Sequence, residues 1–372
     1  MLALEEIQDM DFGHDRMEGF IDLRAVITGG AGFIGSSLTA ALVKEGWEIT
    51  IFDNLSAGSK DNVAPLIRAS PGPMPKLVVG DCTQSRRVKK VVRDCDVVFH
   101  FAANPEVRTE LNNPSQCFRQ NVFATHNVLE AFRGSKAQTI IFASTSTVYG
   151  EAKLLPTPED YSPMEPISVY GASKLAGEAL VSSYCHTLNK HGIILRFANV
   201  VGARSKHGVV IDFVSRLAQN PEQISILGDG TQNKSYIHVD DCVSAVIAAI
   251  ANHRRQTVDI FNVGSTDQIS VKEIAMVIAR AMGLPYPKMS FRSEEWGGRG
   301  WVGDVKTMLL DVTRMKSIGW SPKLNSREAI EQTVKGINPE VDQKKSPMLF
   351  VDSLRGVDLD SASKSLEDST FP

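Results

Sequence analysis

The sequence predicts an α/β protein: a doubly wound parallel sheet with a smaller α/β substrate-binding lobe. Three observations carry this. Six short apolar runs alternate with helix-period stretches over residues 24–199. The runs are nearly continuous in hydrophobicity, as strands buried on both faces are. A glycine-rich turn lies between the first run and the first helical stretch, a place where open parallel sheets bind their ligands.

In order, the runs are "RAVITG", "EITIFD", "KLVVGD", "DVVFHFA", "TIIFAST" and "IILRFANV", rich in Val, Ile and Phe. Between them, "IGSSLTAALVKEG" sets Ile34, Leu38, Ala41 and Leu42 on one helical stripe, and "RRVKKVVRD" and "NVLEAF" repeat the pattern. Such alternation builds βαβ units with helices on both faces of the sheet. From about residue 200 the pattern loosens into the loops "GARSKHGVV", "LGDGTQNKS" and "SEEWGGRGWVGD", where binding residues tend to collect. Two helices interrupt them. "DDCVSAVIAAIAN" is expected to begin at an Asp cap, and "SVKEIAMVIARAMG" carries Ser270 and Glu273 as a capping box. The expected layout is a polar leader (1–23), a first domain (24–199 plus about 236–263), a smaller lobe (about 200–235 plus 264–336) and a flexible Ser/Asp-rich tail (337–372).

Composition narrows the function classes. A net charge of −3 without a basic block argues against nucleic acid as a partner. Cys82, Cys95, Cys117, Cys185 and Cys242 are scattered and form no C-x-x-C, so a disulfide framework or zinc site is not expected and a cytoplasmic location fits. No apolar run is long enough to span a bilayer, and the N-terminal stretch carries acids where a secretion signal carries bases. The histidines show no ligand spacing, so no metal is expected. His100, inside a strand, reads as a core or cofactor-wall residue, while Trp296, Trp301 and Trp320 read as packing.

"AVITGGAGFIGSSL" holds both Gly30-x-Gly32-x-x-Gly35 and Gly29-x-x-Gly32-x-x-Gly35. Glycines at this spacing allow a tight turn, close approach of the backbone to a pyrophosphate, and tight helix–strand packing. The helix start offers N–H groups and a positive dipole end to phosphates. Asp53 ends the second run, 18 residues after Gly35, where an acid accepts hydrogen bonds from ribose hydroxyls. Its charge repels a 2′-phosphate and no Arg follows in "DNLSAGS", so NAD is expected over NADP. Asp81 ends the third run and is placed to meet an adenine amino group.

Two tyrosines precede a lysine by four residues, Tyr149 before Lys153 and Tyr170 before Lys174. On a helix this spacing gives one face. Pro156 and Pro158 follow Tyr149 closely, so no helix is expected there. Tyr170 opens "YGASKLAGEALVSSY", with Leu175, Ala176 and Leu180 as its stripe, and is the candidate base. A free phenol has a pKa of ~10, and a neighbouring ammonium lowers it. A hydroxyl in "STST" (Ser144 to Thr147) can hydrogen-bond a substrate oxygen and relay its proton.

These pieces, with "HFAA", "YGASK", "RFANVVG", "GDGTQNKSYIHVDD" and "FNVGS" in order, resemble the extended short-chain dehydrogenase/reductases, specifically the UDP-glucose 4-epimerase-like nucleotide-sugar epimerases with their Rossmann-type sheet. The resemblance covers about residues 24–336. It implies Thr145, Tyr170 and Lys174 as the catalytic set. It implies an NAD site formed by Gly29, Gly32, Phe33, Ile34, Gly35, Asp53, Asn54, Ser56, Gly58, Asp81, Cys82, Phe101, Ala102, Ala103 and Asn121, with Tyr170 and Lys174. It implies nucleotide-sugar contacts from Thr145, Asn199, Lys234, Arg299, Asp304 and Met308. A UDP-sugar substrate and a homodimer are further expectations of the resemblance.

The chain departs from that pattern. Lys234 stands where many members have a diphosphate-gripping Arg, losing bidentate geometry. Trp301 stands two before Gly303-Asp304 where a second Arg is common, with Arg299 nearby as a substitute. Arg108 in "NPEVR" is a candidate contact for cofactor or sugar. After the catalytic Thr, the resembling lyases carry Asp-Glu (4,6-dehydratases) or usually Ser-Glu (UDP-glucuronate decarboxylases), where this chain has Ser146-Thr147 and no acid. That absence favours epimerisation over lyase chemistry. Retention of Thr145, Tyr170 and Lys174 together argues against a non-catalytic NAD sensor.

Overall fold

Each apolar run forms a strand: β1 (Arg24–Thr28), β2 (Glu48–Asp53), β3 (Lys76–Val79), β4 (Val97–His100), β5 (Thr139–Thr145) and β6 (His191–Phe197). A seventh strand, β7 (Val258–Val263), lies outside the six runs. Polar residues interrupt its apolar pattern, because Asp259 and Asn262 are buried with partners. The strands pair in the order β7-β6-β5-β4-β1-β2-β3, every neighbour parallel. The order reverses between β1 and β4, which creates the crevice at the carboxyl ends where such sheets bind ligands.

The structure, a computed structural model, describes residues 23–69, 73–105, 113–252, 256–292 and 297–337. Arg108, Trp296 and nearly all of the expected leader and tail lie outside these residues. The chain divides into two compact units. The first comprises residues up to Ala198, Val239–Val263 and Leu310–Ser321; the second comprises Asn199–His238, Gly264–Leu309 and residues from Pro322.

The first unit is the Rossmann-type sheet with its helices α1 (Phe33–Lys44), α2 (Ser85–Val92), α3 (Ala124–Arg133), α4 (Val169–Leu188) and α5 (Val239–Ala251). Helix α5 begins at Val239 rather than at an Asp cap. Asp240 and Asp241 sit in its first turn instead, where negative charge complements the helix dipole. Leu310–Ser321, assigned to the lobe by sequence, clusters with this unit. Asn262 on β7 explains the change: its Nδ2 donates to the carbonyls of Thr157 (2.9 Å) and Asp311 (3.1 Å). Trp320 adds a bond from its indole N–H to Ser244 Oγ on α5 (2.9 Å).

The second unit has its own core, in which Phe213, Leu217, Ile224, Ile274, Ile278 and Ile330 are all buried. Its helix Val271–Ala281 carries the capping box: Glu273 N donates to Ser270 Oγ (3.3 Å) and Ser270 N to Glu273 Oε2 (3.0 Å). A three-stranded sheet sets Thr307–Met308 and Ile269–Ser270 on either side of Asn233–Lys234.

Candidate active site

The glycine turn is built by close backbone packing. Gly29 has φ +72°, and a Cβ there would lie 2.6 Å from Ala102 N. A Cβ at Gly35 would lie 2.2 Å from the Gly29 carbonyl oxygen. Helix α1 starts after Gly32 with no side-chain cap and no acid in its first turn. Its opening amides therefore meet no competing carboxylate of the helix itself, which suits a diphosphate. Asp53, buried at the end of β2, accepts from Ala31 N (3.0 Å) through one oxygen and from Leu55 N (2.7 Å) through the other. Each oxygen keeps a lone pair for a ribose hydroxyl. The residues present thus fit a dinucleotide.

Neighbouring loops are held by their own bonds. Asp81 accepts from Thr83 N (2.8 Å), Thr83 Oγ1 (2.7 Å) and Asn54 Nδ2 (2.8 Å). Partial burial pushes its carboxyl up, but the bonds from Thr83 and Asn54 outweigh this and hold it below the usual carboxylate range. Asn54 Oδ1 in turn accepts from Ser56 N (3.0 Å) and Ser56 Oγ (2.7 Å). A Cβ on Gly58 would lie 2.8 Å from the Ala31 carbonyl carbon, so this glycine lets the loop lie against the glycine turn. Cys82 is buried, and burial pushes its thiol up to about 12; its carbonyl accepts from Asn127 Nδ2 (3.0 Å).

A buried chain runs beneath Phe101, Ala102 and Ala103. Asn121 Nδ2 donates to Ser173 Oγ on α4 (2.9 Å), and its Oδ1 accepts from Asn104 N (2.7 Å). Asn121 thereby ties α4 to the loop after β4. Thr125 Oγ1 donates to the Asn121 carbonyl, so it can only accept from His100 Nε2 (2.9 Å). His100 Nδ1 then accepts from Thr28 Oγ1 (2.7 Å). Burial and the nearby Lys174 push the His100 imidazole down to about 3. It is a neutral, fully satisfied wall residue.

The two tyrosines separate clearly. Tyr149 closes the short 3-10 turn Ser146–Tyr149 and is 3% exposed. Its hydroxyl donates to Asn262 Oδ1 (2.8 Å) and accepts from Arg196 Nη1 (2.8 Å). Burial pushes this phenol up to about 12 despite the guanidinium, and Lys153 is exposed outside any helix. Tyr170 and Lys174 both lie on α4, whose N-cap Ser168 accepts from Gly171 N (3.0 Å). Lys174 is 4% exposed, with Nζ 4.5 Å from the centre of the Phe142 ring. Burial lowers its ammonium to about 8, while Glu178 works the other way. Thr145 ends β5 and accepts from Thr147 N and Thr147 Oγ1, each at 3.2 Å. Gly171 and Gly177 bring α4 against this strand: a Cβ on the first would lie 2.8 Å from the Thr147 carbonyl oxygen and on the second 2.6 Å from the Phe142 ring.

Sequence reasoning missed a buried polar cluster beside these groups. Arg196 on β6 (2% exposed) holds Glu178 on α4 (4% exposed) through Nη2–Oε2 at 2.7 Å and Nε–Oε1 at 3.0 Å. Ser144 Oγ donates to Glu178 Oε1, and Arg196 Nη1 also donates to the Glu159 carbonyl (2.8 Å). The signal was an arginine in the middle of "IILRFANV", since a charge inside a buried strand demands a partner.

In the second unit, three expected substrate residues meet one another. Lys234 Nζ pairs with Asp304 Oδ1 at 2.5 Å and lies 5.5 Å from the Trp301 ring centre. Arg299 Nη1 donates to the Asp304 carbonyl (2.6 Å), and Gly300 N to Asp304 Oδ2 (3.1 Å). Met308 is buried and registers directly beside Lys234 across the small sheet. Asn199 Nδ2 donates to the Ser235 carbonyl (3.0 Å).

An NAD-type crevice with a Tyr–Lys helix beside a strand-end hydroxyl defines a class, the nucleotide-dependent short-chain enzymes. Residues 25–264 match the NAD dependent epimerase/dehydratase family. The chain belongs to that family, and its cofactor is NAD. It is 30% identical over 318 residues to UDP-glucose 4-epimerase of Corynebacterium glutamicum, covering 81% of this chain and 91% of the relative. A solved UDP-galactose 4-epimerase is 40% identical with a TM-score of 0.75, over 86% of this chain and 99% of that one. UDP-glucuronic acid 4-epimerase from Bacillus cereus, solved with a fluorinated UDP-glucuronic acid and NAD, is 27% identical with a TM-score of 0.76, over 85% of this chain and 99% of that one.

Proposed function

We propose that the chain is a nucleotide-sugar 4-epimerase that interconverts UDP-glucose and UDP-galactose. The observation that carries this reading is Lys174, buried on the same helix one turn after the half-buried Tyr170. Gly29, Gly32, Gly35, Asp53 and the loop after β4 would hold NAD, which supplies a reversible acceptor for the hydride at sugar C4. The Lys174 ammonium stabilises Tyr170 as a phenolate, and this phenolate takes the proton of the 4-hydroxyl and becomes the phenol. Thr145, whose hydroxyl accepts from Thr147, has its own proton to donate to the sugar O4. With NAD bound, the 4-keto sugar would turn over in the pocket, and the Tyr170 phenol would return its proton to O4 and become the phenolate again.

Ser146 and Thr147 supply no carboxylate after Thr145, which supports epimerisation over dehydration or decarboxylation. Lys234, Arg299 and Asp304 are the proposed diphosphate-side residues. With Lys234 and Asp304 paired, a diphosphate has to compete with Asp304 for that ammonium. The test is incubation with UDP-, dTDP- and GDP-sugars and chromatography of the products. Interconversion of UDP-glucose and UDP-galactose is expected. A different sugar pair as the sole product would redirect the reading.

A further inference from the structure

The groups that bear on Lys174 come from several elements: Glu178 one turn on along its own helix, the Cys117 side chain from Pro114–Cys117 and neutral His100 from β4 act on its charge, and the Phe142 ring from β5 lies against Nζ. Of these, Glu178 alone carries a fixed negative charge. It is one helical turn after Lys174, as Lys174 is one turn after Tyr170. Its carboxylate is immobilised by the two-pronged bond from Arg196 and by the Ser144 hydroxyl. Ser144 directly precedes Thr145, and Arg196 also binds Tyr149 at the end of the turn that follows Thr145. One carboxylate therefore joins the helix bearing Tyr170 and Lys174 to the strand end bearing Thr145.

We propose that Glu178 is a positioning residue of the reaction, keeping Lys174 charged and the Tyr170 helix in register with Thr145. The inference rests on the roles proposed above for Tyr170 and Lys174. A buried ammonium loses its proton readily unless an anion faces it, and a neutral lysine does not stabilise a phenolate. Replacing the buried ion pair by apolar groups would cost the fold little or nothing, so stability alone gives weak reason for it. A charge requirement at Lys174 gives a specific one.

The test is Glu178→Gln, an isosteric loss of charge, beside Glu178→Asp, which keeps it. The pH profile of kcat is read in both, together with the ionisation of Tyr170, followed as the tyrosinate absorbance that Tyr170→Phe removes. Lys174 has to be protonated to act, so the expected result in Glu178→Gln is an alkaline limb moved to lower pH, by roughly one unit or tenfold in rate beyond it. Tyr170 should ionise at higher pH in the same variant. Glu178→Asp should return both curves towards those of the parent.

A Glu178→Gln enzyme that is slower but unshifted in both curves would assign Glu178 a purely structural role and overturn the proposal. Should Glu178→Gln fail to fold, Glu178→Gln combined with Arg196→Gln removes the Arg196 charge together with that of its partner, and the same two shifts decide. An active Tyr170→Phe enzyme would instead overturn the underlying reading. That outcome is separate from an inactive Tyr170→Phe paired with an unshifted Glu178→Gln.

Discussion

At the scale of single residues, two tyrosines with identical spacing to a lysine have opposite environments. Tyr149 is fixed by Arg196 and Asn262, whereas Tyr170 is half-buried at the start of α4. Tyr170→Phe is expected to abolish turnover and leave NAD bound. Tyr149→Phe should keep most of its turnover yet lose about 1–3 kcal/mol of stability, because Asn262 Oδ1 loses its donor inside the core. Thermal unfolding beside steady-state kinetics separates the two outcomes. Met308 offers a second residue-scale test. Buried beside Lys234, it is a flexible side chain of intermediate bulk, and we propose that it bears on whether an N-acetyl group fits at C2 of the sugar. Met308→Ser should raise the ratio of N-acetyl to plain UDP-sugar turnover roughly tenfold, equivalent to ~1.4 kcal/mol of relieved clash. An unchanged ratio would show that Met308 does not gate the pocket.

At the scale of elements, α4 is set by what it lacks. With no side chain at Gly171, the helix start lies against the turn after Thr145. Gly171→Ala drives a methyl into the Thr147 carbonyl and has to move one backbone or the other. A loss of roughly tenfold or more in kcat is expected, since small misplacements of catalytic groups are costly, with NAD content unchanged. Parent-like kcat in this variant would mean that the helix start does not set the geometry. The elements were readable where chemistry and packing leave a local mark: the six apolar runs, the glycine turn, and the capping box at Ser270 and Glu273. Strand β7 was less so, because Asp259 and Asn262 break its apolar pattern and the bonds of Asn262 lead to residues far away in sequence. The same holds for Glu178 and Arg196. Each is legible as an anomaly, but their meeting depends on α4 packing against β5 and β6. In the sequence, Lys234, Arg299 and Asp304 stand as separate contacts. Their mutual bonds follow from pairing of short strands whose sequence carries no periodic signal.

At the scale of the whole molecule, we propose the homodimer that the family resemblance implies. Phe118 (57% exposed) and Phe123 (42% exposed) lie on the turn leading into α3, leaving two large apolar side chains in water. Charged replacement of both should convert a dimer to a monomer in light scattering, with the first unit still binding NAD; a parent already monomeric would contradict the proposal. The central claim, reversible oxidation at C4 with return of the same hydride, is tested most directly with UDP-glucose carrying deuterium at C4. The account predicts UDP-galactose that retains the deuterium at C4, in ordinary water and without added NAD. Deuterium moved to C6, deuterium lost to solvent, or consumption of the substrate without UDP-galactose would contradict it.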